Sequence, residues 1–209
     1  MVAMPLKQYG QVGLVGAAMW KYSFQKSIEQ RDPTSLRPVV LWQDEGQFFL
    51  LPSTDFLFTS TSRSSRVANV LLTQSISGVV ATLGGGPAGK AEADAYLSNY
   101  GTKIFHSNTD PVSNEYGANL IGRCKQFVVS TNNNYGTNEL FMRRNYTGGS
   151  SGVNEVFEYE LQPSEFSRLR TGGAANRGQV DSIVFKNGAA FKKTGRNWMK
   201  VTFTQDFRG

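Results

Sequence analysis

Residues 39–45 read Val39-Val40-Leu41-Trp42-Gln43-Asp44-Glu45: four apolar residues run through an amide into two carboxylates. A continuous apolar run bounded by polar residues predicts a strand buried on both faces, the kind that builds parallel sheets. The flanking chain has the same character. Upstream, Leu14, Val15, Ala18, Met19, Tyr22 and Ile28 recur at nearly helical spacing, so a helix is expected over 13–29 and is broken by Asp32-Pro33-Thr34-Ser35. Val2-Ala3-Met4, ahead of Pro5, reads as a short strand. Downstream, 53–66 is polar and helix-compatible, with Ser53 and Thr54 as caps, and Val67 to Thr73 is a second apolar strand. A flexible loop is expected over 84–89, a helix over 91–98, a strand over 102–106 and a helix over 112–121 ending at Gly122. This alternation over 1–122 argues for an α/β domain with a mostly parallel sheet. The character changes after Cys124. Residues 130–152 are rich in Ser, Thr, Asn and Gly and read as a long loop or flap. Val180 to Phe185, the turn Lys186-Asn187-Gly188 and Ala190-Phe191 read as a hairpin, and Trp198 to Phe203 as a last strand.

The chain has 209 residues, 39% of them hydrophobic, 18% charged and 12% aromatic, a composition that suits a packed domain and excludes a disordered one. Its apolar runs fall well short of the roughly 20 residues a membrane helix needs, and no basic flank with an apolar block marks a signal peptide. Cys124 is the only cysteine and His106 the only histidine, which excludes an intrachain disulfide and thiol- or His-rich metal centres. The net charge of +6 pulls mildly toward nucleic acid, nucleotide phosphate or anionic lipid, though modest basicity is also ordinary for a soluble protein.

Residues 39–45 have the form of a Walker B element. In P-loop nucleotide hydrolases the buried strand carries such acids to the sheet edge; the first holds the hydration shell of Mg²⁺ and the second orients the attacking water. The bland alternative is a buried strand that ends in two solvated acids. Val70-Leu71-Leu72-Thr73-Gln74-Ser75 is a neighbouring strand ending in an amide that can touch a γ-phosphate or the attacking water, or simply cap the next helix. Between them, Ser62-Arg63-Ser64-Ser65-Arg66 carries guanidinium groups that reach a phosphate, act across a subunit interface, or remain solvated.

Together these segments resemble the C-terminal part of the ATPase domain of type IV secretion coupling proteins, the TraG/TraD kind of bacterial conjugation. The resemblance rests on Met4-Pro5-Leu6 with Tyr9 to Gly13, Leu41 to Gln47, Thr61 to Ala68, Leu72 to Ser77, Asn99 to His106 and Asp110 to Gly122. It is weaker over Phe166 to Gly173. It implies a RecA-like P-loop NTPase half over 1–130 with a C-terminal β-rich extension over 131–209. It further implies a hexameric motor at the cytoplasmic face of the inner membrane. Such a motor hydrolyses ATP with Mg²⁺ and passes single-stranded DNA and a relaxase into a type IV secretion channel. Carried over by position, Asp44 is the Mg²⁺-associated acid and Glu45 the catalytic carboxylate. Arg63 is the arginine finger and Gln74 the sensor, with Arg66 as the alternative nucleotide-contacting arginine.

One part of the pattern is missing. A Walker A loop should precede Asp44, and nothing there fits. Gly84 to Gly89 with Lys90 and Ala91 is a near match, but it follows Walker B, does not follow a buried strand, and has Ala91 where a hydroxyl is required. The family's membrane anchor is also missing, so the expectation is a C-terminal piece of a longer protein whose membrane contact lies in the missing N-terminal segment. Two other readings stand beside this one: a non-catalytic interaction module, or a ring translocase of the FtsK/HerA kind. Outside the nucleotide residues, His106 and Cys124 read as structural. The basic clusters Arg143-Arg144, Arg168 with Arg170, Lys192-Lys193 and Arg196 lie near aromatics and are either strand-binding or surface groups.

Overall fold

A computed structural model describes residues 6–32, 37–138 and 143–205. The strand expected over Val2-Ala3-Met4 lies outside the described residues. The first helix, α1 (Leu6–Glu29), begins earlier than the periodicity predicts and is interrupted at Gly10, whose φ of 52° and ψ of −137° are not helical. It leads to β1 (Val39–Gln43), a 3-10 turn (Gly46–Phe49), α2 (Thr54–Thr61) and β2 (Val67–Leu71). Then follow α3 (Ile76–Thr82), α4 (Gly86–Ser98), β3 (Thr102–Phe105) and α5 (Pro111–Ile121). The distal part holds β4 (Arg123–Asn138), β5 (Arg143–Tyr159), α6 (Pro163–Ser167), β6 (Gln179–Lys186) and β7 (Trp198–Thr204).

Strands β1 and β2 are parallel, with Val39 opposite Val67 and Gln43 opposite Leu71. The remaining pairings are antiparallel: β3-β6-β7 in one sheet and β4-β5 in another. The parallel pair is packed on one side only. Ile28, Leu41, Phe58 and Val67 bury themselves between α1, α2 and the strands. Val40 and Trp42, on the other face, are 61% and 64% exposed. The expected burial of β1 on both faces is therefore corrected: among the described residues nothing covers its second face. A second core gathers Leu50, Val79, Leu83, Tyr96 and Leu97 between α3 and α4. A third joins α5, α6 and β6 through Ala118, Ile121, Phe166 and Ile183.

Three sequence expectations change in the structure. The helix predicted over 91–98 starts at Gly86, because Pro87 near its N-terminus supplies a preset φ. Residues 130–138 and 143–152, expected as part of a long loop or flap, belong instead to the paired strands of the β4–β5 ribbon. The Asn187-Gly188 hairpin is also corrected. Strand β6 turns not onto Ala190-Phe191 but onto β7, with Phe185 opposite Trp198, and 187–197 form the connection.

Candidate active site

The C-terminal ends of β1 and β2 lie side by side because the strands are parallel and in register. The ladder continues past them: Leu72 N donates to Gln43 O at 2.9 Å and Gly46 N to Leu72 O at 3.0 Å. Asp44 and Glu45 occupy the turn between these bonds. Glu45 has φ 50° and ψ 37°, the left-handed region that a side chain rarely adopts. That conformation ends the strand and turns its carboxylate back along the sheet edge. There it accepts two hydrogen bonds, from Gln74 Nε2 at 2.9 Å and Gln47 Nε2 at 2.7 Å. Gln47 is buried, and its own Oε1 has no partner.

The structure thus brings Glu45 and Gln74 together from positions 29 residues apart. Gln74 is itself placed by its neighbours. Its carbonyl accepts from Asn108 Nδ2 at 2.7 Å, beyond the end of β3. Asp110 caps α5 and accepts from Ser77 Oγ at 2.8 Å and Ser113 Oγ at 2.6 Å. Burial raises the Asp110 pKa, but the hydroxyls of Ser113 and Ser77 outweigh it and hold the group below the ordinary carboxylate value. Asp44 is exposed beside Glu45 and has no side-chain partner among the described residues.

Arg63 and Arg66 are placed differently. They belong to the turn at the opposite, N-terminal end of the strands, where Val39 N donates to Arg66 O at 3.0 Å. A five-residue strand spans roughly 16 Å. The fold therefore separates these arginines from Glu45 within one chain. Arg66 has φ 51°, and the turn is braced by Arg31, whose Nη2 donates to Ser65 O at 2.6 Å.

Lys90 lies in α4 and pairs with Asp94 at 3.0 Å, and the glycines before it follow helix α3, not a strand. His106 is exposed, with its ring 6.2 Å from that of Phe203. No cluster of three metal-ligating side chains occurs among the described residues. Sequence reasoning assigned no role to Gln47; its signal was an amide two residues after the second acid.

No family model and no curated protein matches this chain. Solved structures do. The unbound monoclinic form of the bacterial conjugative coupling protein TrwBdeltaN70 superposes with a TM-score of 0.57 at 19% identity, covering 87% of this chain and 35% of that one. The plasmid coupling protein TrwB in complex with the non-hydrolysable GTP analogue GDPNP gives 0.56 at 18% identity, covering 87% and 34%. Its complex with the ATP analogue ADPNP gives 0.55 at 18% identity with the same coverage. The chain thus spans about a third of the length of the structures it matches. Over most of its own length, its fold is similar to that of a part of these coupling-protein structures.

Proposed function

We propose that this chain supplies the water-activating side of a nucleotide-driven motor that moves single-stranded DNA into a type IV secretion channel. The observation that carries the reading is the Glu45 carboxylate held between Gln47 and Gln74 at the C-terminal ends of two parallel strands. A carboxylate fixed there by two amide donors can accept a proton from an attacking water, and Gln74 links its position to whatever occupies the γ-phosphate place. Asp44 suits one point of Mg²⁺ attachment, since that ion takes one or two carboxylates and completes its shell with water and phosphate oxygens. When bound, Mg²⁺ neutralises phosphate charge. The phosphate cradle comes from polypeptide beyond these residues, and the open face bearing Val40 and Trp42 supports completion of the sheet by further elements. Arg63, with Arg66 as the alternative, serves the site of a neighbouring copy in a ring, a role consistent with their place at the far end of the strands. Relaxase and channel components are the partners proposed with the DNA, at the inner membrane face. Among the described residues no helix is long and apolar enough to cross a membrane.

The test is ATP turnover by the assembly in which this chain meets a phosphate loop. Glu45→Gln is expected to retain nucleotide binding and lose turnover by about 10²- to 10⁴-fold. Unchanged turnover removes Glu45 from the mechanism. The chain alone is expected to show no appreciable hydrolysis.

A further inference from the structure

The charge of the chain is not spread evenly. Residues 163–205 carry eight basic and two acidic side chains, so the whole net charge of +6 sits there and the rest of the chain is formally neutral. Between Asp181 and Gln205 there is no acid, but there are Lys186, Lys192, Lys193, Arg196 and Lys200. The connection from β6 to β7 gathers the first four of these. Phe191 N donates to Arg196 O at 2.7 Å and Gly195 N to Phe191 O at 2.8 Å, closing a tight tip that carries Lys192 and Lys193. Lys186 N donates to Asn197 O at 2.8 Å, which sets Lys186 beside the returning limb. Asn187 N donates to Gly101 O at 2.8 Å and ties the loop to the start of β3. Arg196 pairs with Glu160 at 2.8 Å, and Lys200 with Asp181 at 3.3 Å. Lys186, Lys192 and Lys193 are exposed and pair with no acid among the described residues.

We propose that this loop is a binding site for the phosphate backbone of a nucleic-acid strand. Three unpaired lysines on one hydrogen-bonded loop, with no carboxylate between them, attract a polyanion and displace its condensed counterions. The lack of an apolar anchor separates a nucleic acid from other anionic partners. Between residues 158 and 202 no large apolar side chain is exposed, and Phe191 and Trp198 are half-buried. A protein interface forms around a desolvated apolar centre, and a monotopic membrane segment holds on by an apolar face. Phosphate contacts require neither. Lysine is a point charge without the fixed fork that reads a base edge, so binding here is independent of base sequence. The site rests on the motor reading only for the identity of the strand. Binding requires neither nucleotide nor turnover, so the failure of one reading leaves the other standing.

Fluorescence anisotropy of a labelled oligothymidylate of about twenty nucleotides, titrated with the whole chain over a salt series, tests it. The wild type is expected to bind. Lys186→Gln with Lys192→Gln and Lys193→Gln is expected to bind at least about tenfold more weakly at low salt. The slope of log K against log salt in that variant is expected to be shallower by about 2, since each lysine on a single strand displaces about 0.7 of a counterion. Lys26→Gln with Lys90→Gln and Lys125→Gln removes the same charge from other elements and is expected to stay within about twofold of the wild type. Co-sedimentation with vesicles containing phosphatidylserine supplies the lipid arm. A wild type that does not bind the oligonucleotide, equal losses in the two triple variants, an unchanged salt slope in the loop variant, or lysine-dependent capture by vesicles in place of the oligonucleotide overturns the proposal.

Discussion

Lys21 Nζ lies 2.5 Å from Asp55 Oδ2, joining the middle of α1 to the first turn of α2 inside the core. The same carboxylate accepts from Gln25 Nε2 and Leu51 N, each at 2.8 Å, while Lys21 also donates to Phe49 O at 2.6 Å. Burial lowers the Lys21 pKa, and the charge and hydrogen bond of Asp55 oppose that fall. Removing one partner leaves an uncompensated buried charge. Lys21→Met or Asp55→Leu is expected to cost about 3–5 kcal/mol in urea unfolding, and the two changes combined to cost less than the two single costs together. Strictly additive costs would show that the pair is not coupled.

The turn carrying Asp44 and Glu45 leaves no room at Gly46. A Cβ placed there would strike Leu71 Cδ1 on the neighbouring strand. Gly46→Ala is expected to destabilise the chain by about 1–3 kcal/mol, with part of the loss recovered when Leu71→Ala removes the obstructing atoms. Equal stability of Gly46→Ala and wild type in thermal melts would refute the close packing.

These two cases separate what the sequence makes legible from what it hides. The run from Val39 to Glu45 is local, so the strand, its end and the two acids are readable from residue types alone. That Gln74 meets Glu45 follows once two apolar strands are placed parallel and in register. Lys21 and Asp55 escape such reading: each looks like a solvated surface charge, and only the packing of α1 on α2 puts them together. The Asn187-Gly188 turn misleads because the signal describes the chain at two residues, while β6 selects β7 through packing with Trp198. Val40 and Trp42 mislead in the opposite sense: their apolarity predicts burial, yet both are exposed among the described residues.

Asp181 is the acid-sensitive point of the distal part. Its side chain is buried and accepts from Arg170 Nη2 at 2.7 Å, Arg170 Nε at 2.8 Å and Thr202 Oγ1 at 2.8 Å. The Arg170 bonds hold its carboxyl far below the ordinary range, against the opposing effect of burial. A carboxyl with a depressed folded pKa stabilises the fold above the unfolded value of about 4 and loses that contribution as the pH falls further. Unfolding followed by fluorescence is therefore expected to show stability declining from about pH 4 downward, and Asp181→Asn to flatten that decline while lowering stability at neutral pH. An unchanged acid profile in Asp181→Asn would assign the acid sensitivity to other groups.

A buried tyrosine pair at the C-terminal end of α4 predicts alkali sensitivity. The hydroxyls of Tyr96 and Tyr100 are 2.7 Å apart, and Tyr96 is almost wholly buried. Burial pushes the Tyr100 phenol up to about 12 and the Tyr96 phenol further in the same direction. Burial with the charge of Asp94 raises Tyr116 to about 12 as well. The unfolded chain releases these protons near pH 10, and the folded chain keeps them. Stability is thus expected to be intact below about pH 10 and to fall as the pH rises through the interval up to about 12. Phenolate absorbance should show a subset of the eight tyrosines ionising late and together with loss of structure. Tyr96→Phe removes the most strongly affected phenol and should make the alkaline decline shallower. Eight tyrosines titrating together near pH 10 in a chain that stays folded would contradict the buried pair.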